Sequence, residues 1–144
     1  DYVHFVITFE ELMGMFVAKD IELSEIEVSK EIQDSSTLGR GYAIAGGVAE
    51  AVKKTAQEID PSREINVESA STLQECVKLM RLAKAGKKNG YLLEGMACSG
   101  GCIAGPGTLA SFTKVRKAVN EFKNQSEFKS SLDNTIIDEK LRKK

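Results

Sequence analysis

The sequence predicts an α/β domain with a mainly parallel sheet, flanking helices and a helical C-terminal tail. Three observations carry that expectation. Short apolar runs rich in β-branched or aromatic residues alternate with longer stretches in which apolar residues recur at helical spacing. Each helical stretch has one periodic apolar face, and the glycine clusters fall at the boundaries between elements. With 144 residues the chain holds one domain's worth of core. We assign residues 1–124 to the α/β unit and 125–144 to a polar helical tail.

The elements follow in order. Val3 to Ile7 reads as a strand ending at Thr8. Phe9, Leu12, Met13 and Phe16 then share one face of a helix and are expected in the core. Thr8 followed three residues later by Glu11 is a capping box, which fixes the helix start. Residues 20–40 are acidic and poorly periodic, so a long loop is expected there, with one helical turn near Glu25 to Ile32. A glycine-rich turn from Gly39 to Gly47 opens a helix from Val48 to Glu58. The turn lacks both the Gly-Lys-Ser/Thr of a phosphate-binding loop and the Gly-x-Gly-x-x-Gly dinucleotide pattern. Ile65 to Glu68 is a strand, and Thr72 to Ala85 a helix with Leu73, Cys76, Val77 and Met80 as its apolar face. Gly86 stops that helix. Tyr91 to Leu93 is a short central strand, followed by Glu94 to Thr108. A basic amphipathic helix begins near Thr108 and runs through Val115, Val119 and Phe122. A polar helix or frayed tail is expected from Glu127 to Lys144.

Composition narrows the function. The net charge is −1 with both signs interspersed, which argues against nucleic acid as a partner. No run approaches the ~18 apolar residues of a membrane span, and no leader pattern precedes a cleavage site. Three cysteines without a disulfide-scaffold pattern favour a reducing, cytoplasmic setting. The chain starts at Asp1-Tyr2 and enters an apolar run at once, so we expect a piece of a longer protein.

The chemistry is expected between Glu94 and Thr108, read Glu-Gly-Met-Ala-Cys-Ser-Gly-Gly-Cys-Ile-Ala-Gly-Pro-Gly-Thr. Two thiolates in a glycine-rich turn suit a soft metal or an iron–sulfur site, since sulfur ligands select such metals and glycine lets the backbone come close. A pair of buried small residues or a local disulfide fits the Cys-x3-Cys spacing equally well. The third cysteine of a radical-SAM loop is absent, because Gly105 stands there. Reversible dithiol chemistry is disfavoured by the missing Cys-x-x-Cys spacing and the lack of an adjacent histidine. Position beyond the carboxyl end of a strand favours a ligand site. Cys76 on a helix face reads as a small buried hydrophobe before it reads as a third ligand. His4, the only histidine, reads as structural or surface, and Glu94 at a strand end is as fit to accept a structural hydrogen bond as to relay protons.

The run Glu94 to Gly107 resembles the third signature of the iron-only hydrogenase catalytic domain, Glu-x-Met-Ala-Cys-Pro-Gly-Gly-Cys before a glycine-rich turn. Gly41-Tyr42-Ala43-Ile44-Ala45-Gly46-Gly47-Val48-Ala49-Glu50-Ala51 is similar to that family's Gly-x-x-Gly-Gly-Val-x-Glu-Ala segment. Order and spacing also agree, from about residue 2 to residue 120. The resemblance implies an H-cluster, a [4Fe-4S] cubane joined through a cysteine sulfur to a di-iron unit. It implies Cys98 as a cubane ligand, Cys102 as the bridging, catalytic thiolate, Met96 beside the di-iron unit, and Tyr42, Ala43, Ile44 and Ala45 lining its pocket. It further implies reversible proton reduction, ferredoxin or a similar electron carrier as partner, and an upstream part of the same hydrogenase bearing the remaining cysteine signatures. A cubane takes four cysteines and this chain has three, so the piece alone is expected to be cluster-free, inactive and prone to self-association through its uncovered face. Ser99 replaces the usual proline, and Ala104 to Thr108 depart from the usual Gly-Gly-Gly-Gln-Pro. Those departures keep a hydrogenase-like redox or hydrogen sensor open as an alternative, beside a metal-free α/β binding module.

Overall fold

A computed structural model describes residues 2–27 and 35–134. The expected helix near Glu25 to Ile32 falls partly outside them, and within them only a single 3-10 turn, Leu23–Glu25, forms. The expected tail beyond residue 134 also lies outside the described residues.

The architecture is α/β. β1 (Asn66–Ala70) pairs in parallel with β2 (Tyr91–Gly95), and α4 (Leu73–Lys84) crosses between them. The register sets Val67 opposite Leu92 and Ala70 opposite Gly95. Among the described residues the sheet has two strands, so Tyr91–Gly95 is an edge and not a central strand. α3 (Gly47–Ile59) packs on both strands and on α2 (Thr37–Arg40), and α2 in turn meets α5 (Phe112–Asn124). The buried apolar core is made of Ala49, Ala51, Ala70, Leu79 and Ile103. Three of those five are alanines, so α3 and the sheet approach closely without large side chains between them.

Local chemistry explains the ends of the elements. Thr72 caps α4 through its hydroxyl, which accepts from Glu75 N–H. Gly86 ends it at φ +75°. α3 begins at Gly46, held at φ +88°, with no side-chain cap. Lys88 forms an ion pair with Glu68 and lies 4.7 Å over the Tyr91 ring, tying the turn before β2 to β1. The Glu68 carboxylate pushes the Lys88 pKa up.

The N-terminal region departs from expectation. Residues 2–8 form no strand, and among the described residues no neighbouring strand supplies their ladder partners. α1 (Phe9–Ala18) does start with the Thr8–Glu11 capping box, yet none of its residues is buried. Phe9 is 60% and Met13 38% exposed while Leu12 and Phe16 are half-buried, so the stripe expected in the core is only partly covered. In α4 the expected face is split, with Leu73, Val77 and Met80 exposed, Cys76 half-buried and Leu79 buried. α1 is tethered through Gly107, whose carbonyl accepts from Glu10 N–H at 3.0 Å and whose Cα abuts Thr8.

Candidate functional site

β2 delivers Met96 to Cys102 beyond its carboxyl end, as expected of a parallel pair, and Met96 N–H closes back onto Ala70 O at 2.8 Å. The chain then turns on two consecutive glycines in the left-handed region, Gly100 (φ +91°) and Gly101 (φ +93°). The turn meets the glycine loop that precedes α3. Ile44 and Gly101 form an isolated antiparallel bridge, Ala45 N–H donates to Gly100 O at 3.1 Å, and Ile103 N–H donates to Ala43 O at 3.3 Å. A β-carbon on Gly101 would lie 2.5 Å from both Ala43 O and Ala45 N, so only glycine permits this approach. Gly47 serves the same purpose within its loop, since a β-carbon there would run into Gly41 O.

Two stretches more than fifty residues apart are therefore sewn together by backbone hydrogen bonds. Cys98 and Cys102 both lie in the second of them. Cys98 is half-buried, its sulfur 3.6 Å from where a Gly105 β-carbon would stand, and Cys102 is exposed. An apolar cavity of about 400 Å³ opens beside Cys102, walled by Phe9, Ala43, Cys102, Ile103, Leu109 and Val119. Ala43 thus shares a wall with Cys102. Ile44 and Ala45 line a separate polar cavity of about 280 Å³ with Glu50, Arg116 and Lys123. Tyr42 is 48% exposed, and Met96 is half-buried at the root of the loop.

Cys76 is turned elsewhere. Its thiol points to Met96 O at 3.5 Å and Ala70 O at 3.9 Å, and it fills the space under Gly95, 3.1 Å from where a β-carbon would be. It packs as a small side chain beneath the strand ends. Glu94 accepts from Ser69 Oγ at 3.0 Å through Oε2, while its buried Oε1 has no hydrogen-bond partner among the described residues. His4 lies in the exposed N-terminal segment.

The donor set fits an iron–sulfur group in part. Two thiols on a glycine loop supply soft ligands and close backbone, but among the described residues no three metal-ligating side chains converge. Sequence reasoning missed two features of this region. One is the apolar cavity, assembled from α1, both loops and α5. The other is Arg40, which the structure buries to 8% exposure. Neither has a local sequence signal, because each depends on which elements become neighbours.

Fold and site together define an α/β module whose cysteine–glycine loop, at the end of a parallel strand, is locked to a second glycine loop ahead of a helix. No curated protein matches the chain. Residues 1–106 match the family described as iron only hydrogenase large subunit, C-terminal domain, and the chain belongs to that family. The match includes both glycine loops and both site cysteines and ends before α5. No helix among the described residues is long and apolar enough to cross a membrane.

Proposed function

We propose that this chain supplies part of the H-cluster site of an iron hydrogenase that reversibly reduces protons to dihydrogen. In this reading Cys98 would hold the [4Fe-4S] cubane and Cys102 would be the catalytic thiolate ligand toward the di-iron unit. Met96 and the loop from Tyr42 to Ala45 flank that unit, and the iron group supplies the redox chemistry when bound. The protein contributes ligation, exclusion of water and hydrogen bonds that tune the metals. The single observation that carries the reading is the backbone junction at Ile44 and Gly101, which joins the two family segments next to Cys102 and Ala43 on one apolar wall.

The remaining cubane ligands would come from an upstream part of the same hydrogenase, with ferredoxin or a similar carrier bringing electrons. Two features support that partner: Cys76 is turned toward carbonyl groups, leaving two site thiols, and the segment from Tyr2 to Val17 exposes large apolar side chains. The chain by itself is then a cluster-free half-site.

Anaerobic iron–sulfur reconstitution tests this, with iron and sulfide counting and EPR of the reduced sample. The chain alone should hold less than one cubane, and supplying the upstream segment should restore uptake that Cys98→Ser abolishes. A stoichiometric cluster on the chain alone would refute the half-site. Absence of uptake under both conditions would favour a metal-free binding module.

A further inference from the structure

We infer that Arg40 is a positioning residue, through which the C-terminal segment 122–133 holds the site loop 41–47 in register with the cysteine loop. The inference rests on the proposed function only in taking loop 41–47 as a wall of the site.

The connections run without a break. Arg40 is the last residue of α2 and leads directly into Gly41. Its Nη1 donates to Phe122 O at 2.8 Å, its Nε donates to Ser35 Oγ at 3.0 Å, and its guanidinium carbon lies 4.2 Å over the Phe122 ring. Phe122 O belongs to the last turn of α5, where it also accepts from Gln125 N–H at 3.3 Å and where a cation is favoured. The start of α2 is held by the same segment. Thr37 N–H donates to Phe128 O at 2.7 Å, Leu38 N–H donates to Lys129 O at 3.1 Å, and Ser126 Oγ donates to Ser35 O at 2.7 Å.

That segment is itself anchored. Ser130 is fully buried and donates to Glu58 Oε2 on α3 at 2.6 Å, while Asp133 accepts from the amides of Lys129 and Ser130. It is thus a strap fastened at α3 and α5 that grips α2 along its length. α2 ends where the site loop begins, and the loop is bonded to Gly100 and Ile103. Within the described residues, the start of the expected polar helix or frayed tail from Glu127 forms bends and turns over residues 129–133. Its ordering serves an element that lies within the family match while the strap lies beyond it.

The test uses the metal-free chain. Site-resolved amide exchange is measured at Ala45 and Ile103, with iodoacetamide alkylation of Cys98, Cys102 and Cys76 followed by mass spectrometry. Arg40→Ala should accelerate exchange at Ala45 and Ile103 by roughly ten-fold or more, the scale of one hydrogen bond from a charged group. Alkylation of Cys98 and Cys102 should quicken, while the amides pairing β1 with β2 and the alkylation of Cys76 stay unchanged. Arg40→Lys keeps the charge near Phe122 O without the two-pronged geometry and should fall between. Unchanged loop exchange, or equal acceleration everywhere, would overturn the inference. Should Arg40→Ala not fold, Ser126→Ala removes the strap's bond to Ser35 and must loosen the same two amides, or the inference fails. Because no iron is present, a failed cluster reconstitution leaves this result untouched, and a negative result here leaves the cysteine ligation untouched.

Discussion

Around Ile44 and Gly101 each glycine is fixed by a neighbour from the same chain, whereas along Tyr2 to Val17 large apolar side chains stand at the surface. The two regions carry equally clear local patterns. What separates them is where the partners are. The loops find theirs in α2, α3 and α5, so their conformation is set from within. The N-terminal region meets the folded body at Gly107 and at Phe9, on the wall of the apolar cavity. A local pattern therefore states how a segment will fold and which face is apolar, while burial depends on surfaces that must be supplied.

The largest effect that would break this contrast is at the junction. Gly101→Ala sets a β-carbon against Ala43 O and Ala45 N in a left-handed backbone, combining overpacking with conformational strain. Each is worth about 1–3 kcal/mol, so a loss on the order of 3 kcal/mol or more is expected in the urea unfolding free energy. A neutral Gly101→Ala would mean the two loops are not joined as described. Leu79→Ala comes next. It removes the only leucine in the described buried core and should cost about 2–4 kcal/mol by the same measurement.

A smaller, local effect is expected at the helix cap. Thr8 N–H donates to Glu11 Oε2 at 2.7 Å, and Thr8 Oγ1 accepts from Glu11 N–H at 3.2 Å. Thr8→Ala should cost α1 about 1 kcal/mol. Because α1 has no fully buried residue, exchange should rise across residues 9–18 while the global midpoint barely moves. Acid should act in the same direction. The backbone and hydroxyl hydrogen bonds from Thr8 hold the Glu11 carboxyl below its ordinary pKa. A depressed carboxylate stabilises the cap above its unfolded pKa, and that contribution is lost as pH falls through the folded one. Amide exchange in α1, corrected for its intrinsic pH dependence, should therefore show the helix fraying below about pH 4. In Thr8→Ala the backbone N–H at position 8 still donates to Glu11, so this acid dependence should shrink but persist.

How much of this was legible in the sequence follows from the same distinction. The capping box at Thr8, the stop at Gly86, the β1–α4–β2 unit and the glycine turn ahead of α3 are encoded within a few residues of where they act, and each appears within one or two residues of its expected place. The place of the cysteine–glycine loop beyond the end of β2 was legible from its glycines, while the roles given to Cys98 and Cys102 rest on resemblance. The strand at Val3 to Ile7 was not, because β-branched residues specify a strand only when a ladder partner exists. The inward face of α4 was read in part: Cys76 does turn under the strand ends, but Leu79 is the buried residue while Leu73, Val77 and Met80 are exposed. Arg40 and the Ser126–Ser130 strap left no readable trace. A buried arginine in sequence looks like a surface one until α5 brings Phe122 beneath it.

The smallest expected change in stability carries the most information about the exposed region. Phe5 and Val6 are each 89% exposed, so Phe5→Ser with Val6→Ser should shift the urea midpoint by no more than about 0.5 kcal/mol equivalent. Their removal should nevertheless lower the tendency to self-associate, read by sedimentation velocity over a range of concentrations, because exposed apolar area drives association in proportion to its extent. It should likewise weaken cluster uptake when the upstream segment is supplied, if that segment docks there. A marked loss of stability in the isolated chain would instead show that residues 2–7 already pack against this fold, and the contrast between the two regions would collapse. Unchanged stability with unchanged association would keep the contrast and move the docking surface elsewhere, to the open edges of β1 and β2 or the exposed Leu73, Val77 and Met80 of α4.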